Sequence, residues 1–148
     1  MTIQDRSNSN TNKTSSVAPW TSSLAALPAL SVRQPWAWLI VSGLKDIENR
    51  PRRTRHRGPL LIHAGLSLDS YTEENIEWLK KKYDVHIPLE LDTGGIVGVV
   101  DVIDCVESHG SKWFNEGNFG WVLANPRQLD FRECKGALGV FRPTVPQK

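Results

Sequence analysis

The sequence predicts a mixed, mainly β fold: a small closed or half-closed β-barrel of about six strands with two or three short helices. Three observations carry this. Short, β-branched apolar segments recur along the chain with Gly and Pro at their corners. Helical periodicity is confined to the earlier part of the sequence. The length, 148 residues, suits one hydrophobic core rather than two. A two-layer α+β sheet is the competing arrangement.

The elements follow in order. Residues 1–26 are rich in Ser, Thr and Asn and read as a disordered tail. The folded domain is expected over residues 27–142, with a short tail at 143–148. Leu-Pro-Ala-Leu-Ser-Val at 27–32 reads as an opening strand. Pro35 suits the first turn of a helix; Trp36, Leu39 and Ile40 recur on one helical face, and Gly43 ends it. Asp46 to Arg50 should be extended, because Pro51 disfavours helix just before it. Arg52 to Gly58 reads as a polar loop and Leu60 to Ala64 as a buried strand. Thr72 to Tyr83 is a second helix, capped by Thr72, with Glu73 and Glu74 in its first turn and Lys80, Lys81 and Lys82 in its last. Ile76 and Leu79 form its inner face. Gly94 to Glu107, Phe119 to Leu123 and Gly136 to Phe141 read as strands, and Asn125-Pro126 as a turn between two of them.

Composition excludes some classes. Apolar residues make up 39% of the chain, with six Trp, which argues against a disordered protein. No apolar run approaches the roughly 20 residues that cross a bilayer, so no membrane association is expected and the cytoplasm is the expected compartment. The two cysteines, Cys105 and Cys134, are in no metal-ligating pair. They read as reduced thiols on strands, and neither a metal nor another cofactor is expected.

Charge is where the sequence becomes informative. The net charge is only +2. Residues 44–57 nevertheless hold six basic and two acidic side chains, a net +4, so the remainder sums to −2. Five Arg residues between positions 50 and 57 are a costly like-charge density unless an anion neutralises them. Arg52, Arg53, Arg55 and Arg57, with Arg50 and Thr54, are therefore candidates for phosphate contacts. A solvated basic loop is the plain alternative.

Four further features could carry chemistry. Arg33 and Gln34 stand where a strand meets a helix, and helix N-termini attract phosphate. Trp38 lies two residues from Trp36, so both cannot face the core; Trp38 is either packed or free to stack on a base. Strand alternation puts Glu48 and Arg50 on one face and Ile47 on the other. Lys45 stands at the join, and Lys45 with Glu48 forms a candidate acid/base pair, with Thr54 or Tyr71 as possible helpers. His63 is either a hydrogen-bonded structural residue or a proton shuttle facing a pocket. The aromatic loop from Trp113 to Trp121 reads equally as a base-stacking rim or a hydrophobic plug; Glu116 in it is a candidate second carboxylate.

Three stretches then resemble one family. These are Leu30-Ser31-Val32-Arg33-Gln34-Pro35-Trp36-Ala37, the Gly43-x-Lys45-x-x-Glu48-x-Arg50 signature, and Arg57-Gly58-Pro59-Leu60-Leu61-Ile62-His63-Ala64. Phe119 to Leu123 and Cys134 to Gly139 extend the likeness. Together they resemble the ASCH domain family of the PUA-like superfamily, over about Leu27 to Arg142. The resemblance implies a PUA-like β-barrel with a cleft sized for RNA, lined by Lys45, Glu48 and Arg50. It implies RNA or a nucleoside as partner. One branch of the family is similar to N4-acetylcytidine amidohydrolases, in which a Lys and a nearby Thr act; here Glu48 stands where that Thr is expected. Other members resemble ribonucleases.

Three functions therefore stand side by side. The first is recognition of single-stranded RNA or a nucleobase, with Arg50 to Arg57 on phosphates and Trp38 or Trp121 stacking. The second is hydrolysis of RNA or a modified nucleoside by Lys45 and Glu48. The third is a protein-interaction module whose basic loop meets an acidic partner.

Overall fold

A computed structural model describes residues 17–145. Seven strands and two α-helices build it. The strands are β1 (Val17–Ala18), β2 (Ala29–Val32), β3 (Ile47–Arg50), β4 (Gly58–Ala64), β5 (Gly95–Val106), β6 (Phe119–Glu133) and β7 (Val140–Phe141). The helices are α1 (Trp36–Val41) and α2 (Glu73–Tyr83), with a 3-10 turn at Ser22–Ala26. One mixed sheet runs β1-β6-β5-β4-β2-β7, and β3 pairs with β6 beside this path.

The sheet does not close into a barrel: β1 and β7 end it, and neither pairs with the other. Both end strands are two residues long, too short to carry closure. The count of about six strands is also corrected, to seven. Asn125-Pro126 is not a turn, because β6 runs straight through it. Val99 faces Arg127 while Asp101 faces Ala124, so Val100 stands against Asn125 and Pro126 together. This is a β-bulge. Asn125 takes the left-handed conformation, φ 51°, which Asn tolerates, and its Nδ2 donates to Asp101 Oδ2 at 2.8 Å. Pro126, with no N–H to offer, fits at an irregular ladder position.

The expected N-terminal tail is described only in part. Its first part, residues 1–16, lies outside the described residues. Val17 and Ala18, however, pair in parallel with Gln128 and Leu129, and Trp20 and Leu24 pack against a buried cluster around Leu61, Ile96 and Val99. At the other end, residues 146–148 lie outside the described residues, but Val145 is buried in that same cluster. Packed residues thus lie on either side of 27–142.

Both helices form as the sequence suggests. Gly43 follows α1 at φ 88°, a conformation that costs glycine little. Leu44 N and Lys45 N then donate to Leu39 O at 3.0 and 2.9 Å. The helix lies close against β5: a Cβ at Gly98 would come within 2.4 Å of Val41 Cγ1. In α2, Thr72 accepts from Asn75 N at 3.1 Å, satisfying one of the free N–H groups of the first turn. Leu79 is fully buried and Ile76 half-buried. Leu79 meets Leu39 of α1, Ile47 of β3 and Trp113 in one cluster. Burial of each such aliphatic side chain contributes about 1.5–3 kcal/mol, enough to lock α1, β3 and α2 together beneath the site described next.

Candidate functional site

A cleft of about 770 Å³ opens between β3, α1, the end of α2 and the segment at 137–139. That volume lies within the roughly 300–1,000 Å³ of small-ligand sites. Its floor is built by strand alternation. Ile47 is fully buried in the cluster with Leu39 and Leu79, so Glu48 and Arg50 project together on the other face.

Glu48 lies between two cations. Arg50 Nε donates to its Oε2 at 2.8 Å, and Lys45 Nζ stands 3.7 Å from its Oε1. Arg50 also reaches across to β2, where Nη2 donates to Ser31 O at 2.9 Å. The Lys45 ammonium donates to Ile47 O and sits about equally far from the Trp36 and Trp113 rings, 6.0 and 5.9 Å from their centroids. Burial lowers its pKa, and the neighbouring Glu48 charge opposes that shift. The floor thus holds two cations and one carboxylate, with Arg50 the most accessible of the three (26% side-chain exposure against 10% or less).

One wall is aromatic. Tyr83 stacks on Trp113, 3.9 Å between centroids and 16° between planes, and Trp78 meets Tyr83 edge-on at 5.8 Å. Trp113 Nε1 donates to Leu44 O at 2.8 Å. Asn49 secures the same loop, donating to Trp113 O and accepting from Asn115 N, both at 2.9 Å. The sequence pointed to the Trp113 loop but not to Asn49, Ser31, Tyr83 or Trp78. Trp78 just ahead of three lysines on one helix was the signal available for the last of these.

Of the residues singled out earlier, Arg33, Lys45, Glu48 and Arg50 line the cleft. Others serve elsewhere. Gln34 is buried; its Oε1 accepts from Trp38 N and its Nε2 donates to Asp92 O, both at 2.9 Å. Trp38 packs towards Leu39 and borders a separate groove on the far side of α1 with Val41 and Leu68. Tyr71 lies in that groove too, with its hydroxyl on Pro88 O. Trp121 is a core residue whose Nε1 donates to Arg52 O at 3.1 Å. It therefore anchors the basic loop from beneath. Thr54 is buried against Cys105 Sγ and accepts from His56 N. Glu116 is exposed and does not line the cleft.

His63 is buried behind Ser31. The Cys134 carbonyl, 2.8 Å from Nε2, can only accept, so Nε2 carries the proton. Nδ1 shares a hydrogen bond with the Ser31 hydroxyl at 3.0 Å, accepting it when the ring is neutral. Both ring nitrogens are satisfied within the fold.

The basic loop lies beyond Pro51, at one end of the cleft. Arg53 pairs with Glu107 at 3.2 Å and Arg57 lies 3.9 Å from Asp104. Among the described residues, Arg52 and Arg55 have no ion-pair partner. Both cysteines are free, Cys105 buried and Cys134 half-buried. Among the described residues, no helix is long and apolar enough to cross a membrane.

The model of the ASCH domain matches residues 30–133, which include the whole cationic floor and the Trp113 loop. The chain belongs to the ASCH domain family. The chain is 34% identical over 113 residues to activating signal cointegrator 1 of Homo sapiens, a match covering 68% of this chain and 19% of the relative. The Mus musculus protein of the same name is 34% identical over 116 residues, with the same shares. The match thus spans about a fifth of those relatives' length.

Proposed function

We propose that this ASCH domain recognises single-stranded RNA, or a single nucleobase whether modified or not, in the cleft. One observation carries the reading: a cationic floor, with Arg50 at its accessible edge, meets a stacked aromatic wall within one concavity. Arg donates in a planar fork to phosphate or base edges, and unpaired bases stack on aromatic rings. Arg33 and Arg50 would contact the strand in the cleft, and Arg52 and Arg55 would hold phosphates on the adjoining loop. Two free thiols suit a reducing compartment such as the cytoplasm. The test is fluorescence anisotropy with a single-stranded RNA across a salt series. Binding that weakens with salt and is lost in Arg50→Ala supports the reading; affinity that is flat with salt and indifferent to Arg50 sinks it.

A second reading rests on Lys45. Its buried, pKa-lowered amine lies beside a carboxylate, an arrangement suited to acid/base work. In a hydrolase acting on RNA or an acylated nucleoside, Glu48 would take a proton from the attacking water and Lys45 would stabilise the developing negative charge. Against this stands Arg50, whose Nε already occupies Glu48 Oε2 at 2.8 Å. Incubation with single-stranded RNA and N4-acetylcytidine, followed by chromatography, decides it. Turnover lost in Lys45→Ala with the fold intact supports hydrolysis, and no turnover in the wild type rejects it for these substrates.

A further inference from the structure

The aromatic wall of the cleft grows more exposed along its length. From Trp113 it steps to Tyr83 and then to Trp78, which is 48% exposed. Three lysine ammonium groups follow the same rings. Lys82 Nζ lies 4.9 Å from the Trp78 centroid and 5.4 Å from Tyr83. Lys112 Nζ lies 5.8 Å from Tyr83 and 5.9 Å from Trp113. Lys45 closes the inner end.

The helix dipole accounts for Lys80, Lys81 and Lys82, which occupy the last turn of α2. It does not account for Lys112, which arrives from a separate loop onto the same rings. Nor does core building account for Trp78, since Leu79 already supplies the buried contact of that turn. Among the described residues, none of these four lysines has a carboxylate partner. The surface pairs exposed ring faces with unneutralised ammonium groups, the combination that tracks a single strand.

We propose that a single-stranded nucleic acid leaves the cleft over α2, placing a base on Trp78 and phosphates on Lys82 and Lys112. This rests on the cleft binding nucleic acid and makes the exposed end of the aromatic wall a second stacking platform. Lys82 would swing from the Trp78 face to a phosphate, since an exposed cation–π contact is weaker than base stacking.

The test uses the full chain with a fluorescein-labelled, random-sequence RNA dodecamer, and a random-sequence RNA trimer as competitor. Trp78→Ala should weaken dodecamer binding by roughly 5- to 100-fold, the scale of one stacked base, and weaken trimer binding by clearly less. Trp78→Phe, which keeps a ring, should recover much of the loss. Lys82→Ala with Lys112→Ala should make the salt slope shallower by about 0.7 for each phosphate contact removed. Unchanged dodecamer affinity and slope in these variants, with Arg50→Ala still weakening binding, would overturn the α2 path and leave the cleft reading standing. Equal loss of trimer and dodecamer in Trp78→Ala would also overturn it, by placing Trp78 inside the primary base site. Absence of binding by the wild type would overturn both.

Discussion

Arg50 Nε and Glu48 Oε2 lie 2.8 Å apart, two residues from one another on β3. This pair sets the orientation of the whole floor. It spends the Glu48 charge on Arg50 as well as on Lys45, and it leaves the outer edge of the guanidinium facing the cleft. The same pair argues for recognition over catalysis, because both carboxylate oxygens already face cations within the floor.

Glu48→Gln should therefore destabilise the fold. It strips Lys45 of its nearest counter-charge in a buried place, a change on the order of 3 kcal/mol for buried pairs. The partial exposure of Arg50 favours the lower end of that scale. Urea denaturation measures it. The double variant Glu48→Gln with Lys45→Met should lose less than the two single losses added together.

Lys45 makes stability depend on pH in a definite direction. Burial holds its pKa below the ordinary 10.5, so between the folded value and the unfolded value the unfolded chain binds more protons. Stability rises with pH wherever that holds. The cost of the buried charge is thus full below the folded pKa and fades as pH rises towards the unfolded value. Lys45→Met lacks this group. The stability of the wild type relative to that variant should climb as pH is raised towards about 10, read by urea denaturation at each pH.

His63→Ala should cost stability while leaving RNA affinity unchanged. The imidazole satisfies Ser31 Oγ and Cys134 O inside the fold, and each buried polar group left unpaired costs about 1–3 kcal/mol. Thermal melting and anisotropy, run on the same sample, separate the two effects. A large loss of affinity with unchanged stability would return His63 to the binding machinery.

Within the basic loop the arginines should not be equivalent. Arg52→Ala and Arg55→Ala should each make the salt slope for single-stranded RNA shallower by about 0.7. Arg53→Ala and Arg57→Ala should change it less, since Glu107 and Asp104 already face those guanidinium groups.

Much of the site was legible because its signals are local. Gly43 marks the turn after α1, and the alternation Ile47, Glu48, Arg50 assigns inside and outside by period alone. The Thr72 cap and the α2 boundaries follow from adjacent residues. What was not legible depends on distant partners. Closure of the sheet rests on pairing between strands at opposite ends of the chain, and two-residue strands such as β1 and β7 leave no periodic trace. Asn125-Pro126 carries turn residues, yet the facing strand β5 turns the same chemistry into a bulge. Trp121 and Trp38 look alike to Trp113 in sequence. Only tertiary contacts send the first into the core, the second to the far side of α1 and the third onto Tyr83.

That sorting of the tryptophans gives the most direct test of the cleft as the nucleic-acid site. Each of the six Trp residues has one indole N–H, visible as a separate signal in a nitrogen-15 correlation spectrum. On titration with single-stranded RNA, the indole signals of Trp36, Trp78 and Trp113 should shift, while those of Trp20, Trp38 and Trp121 stay in place. Shifts confined to Trp38, on the far side of α1, with the cleft tryptophans unmoved, would contradict the account.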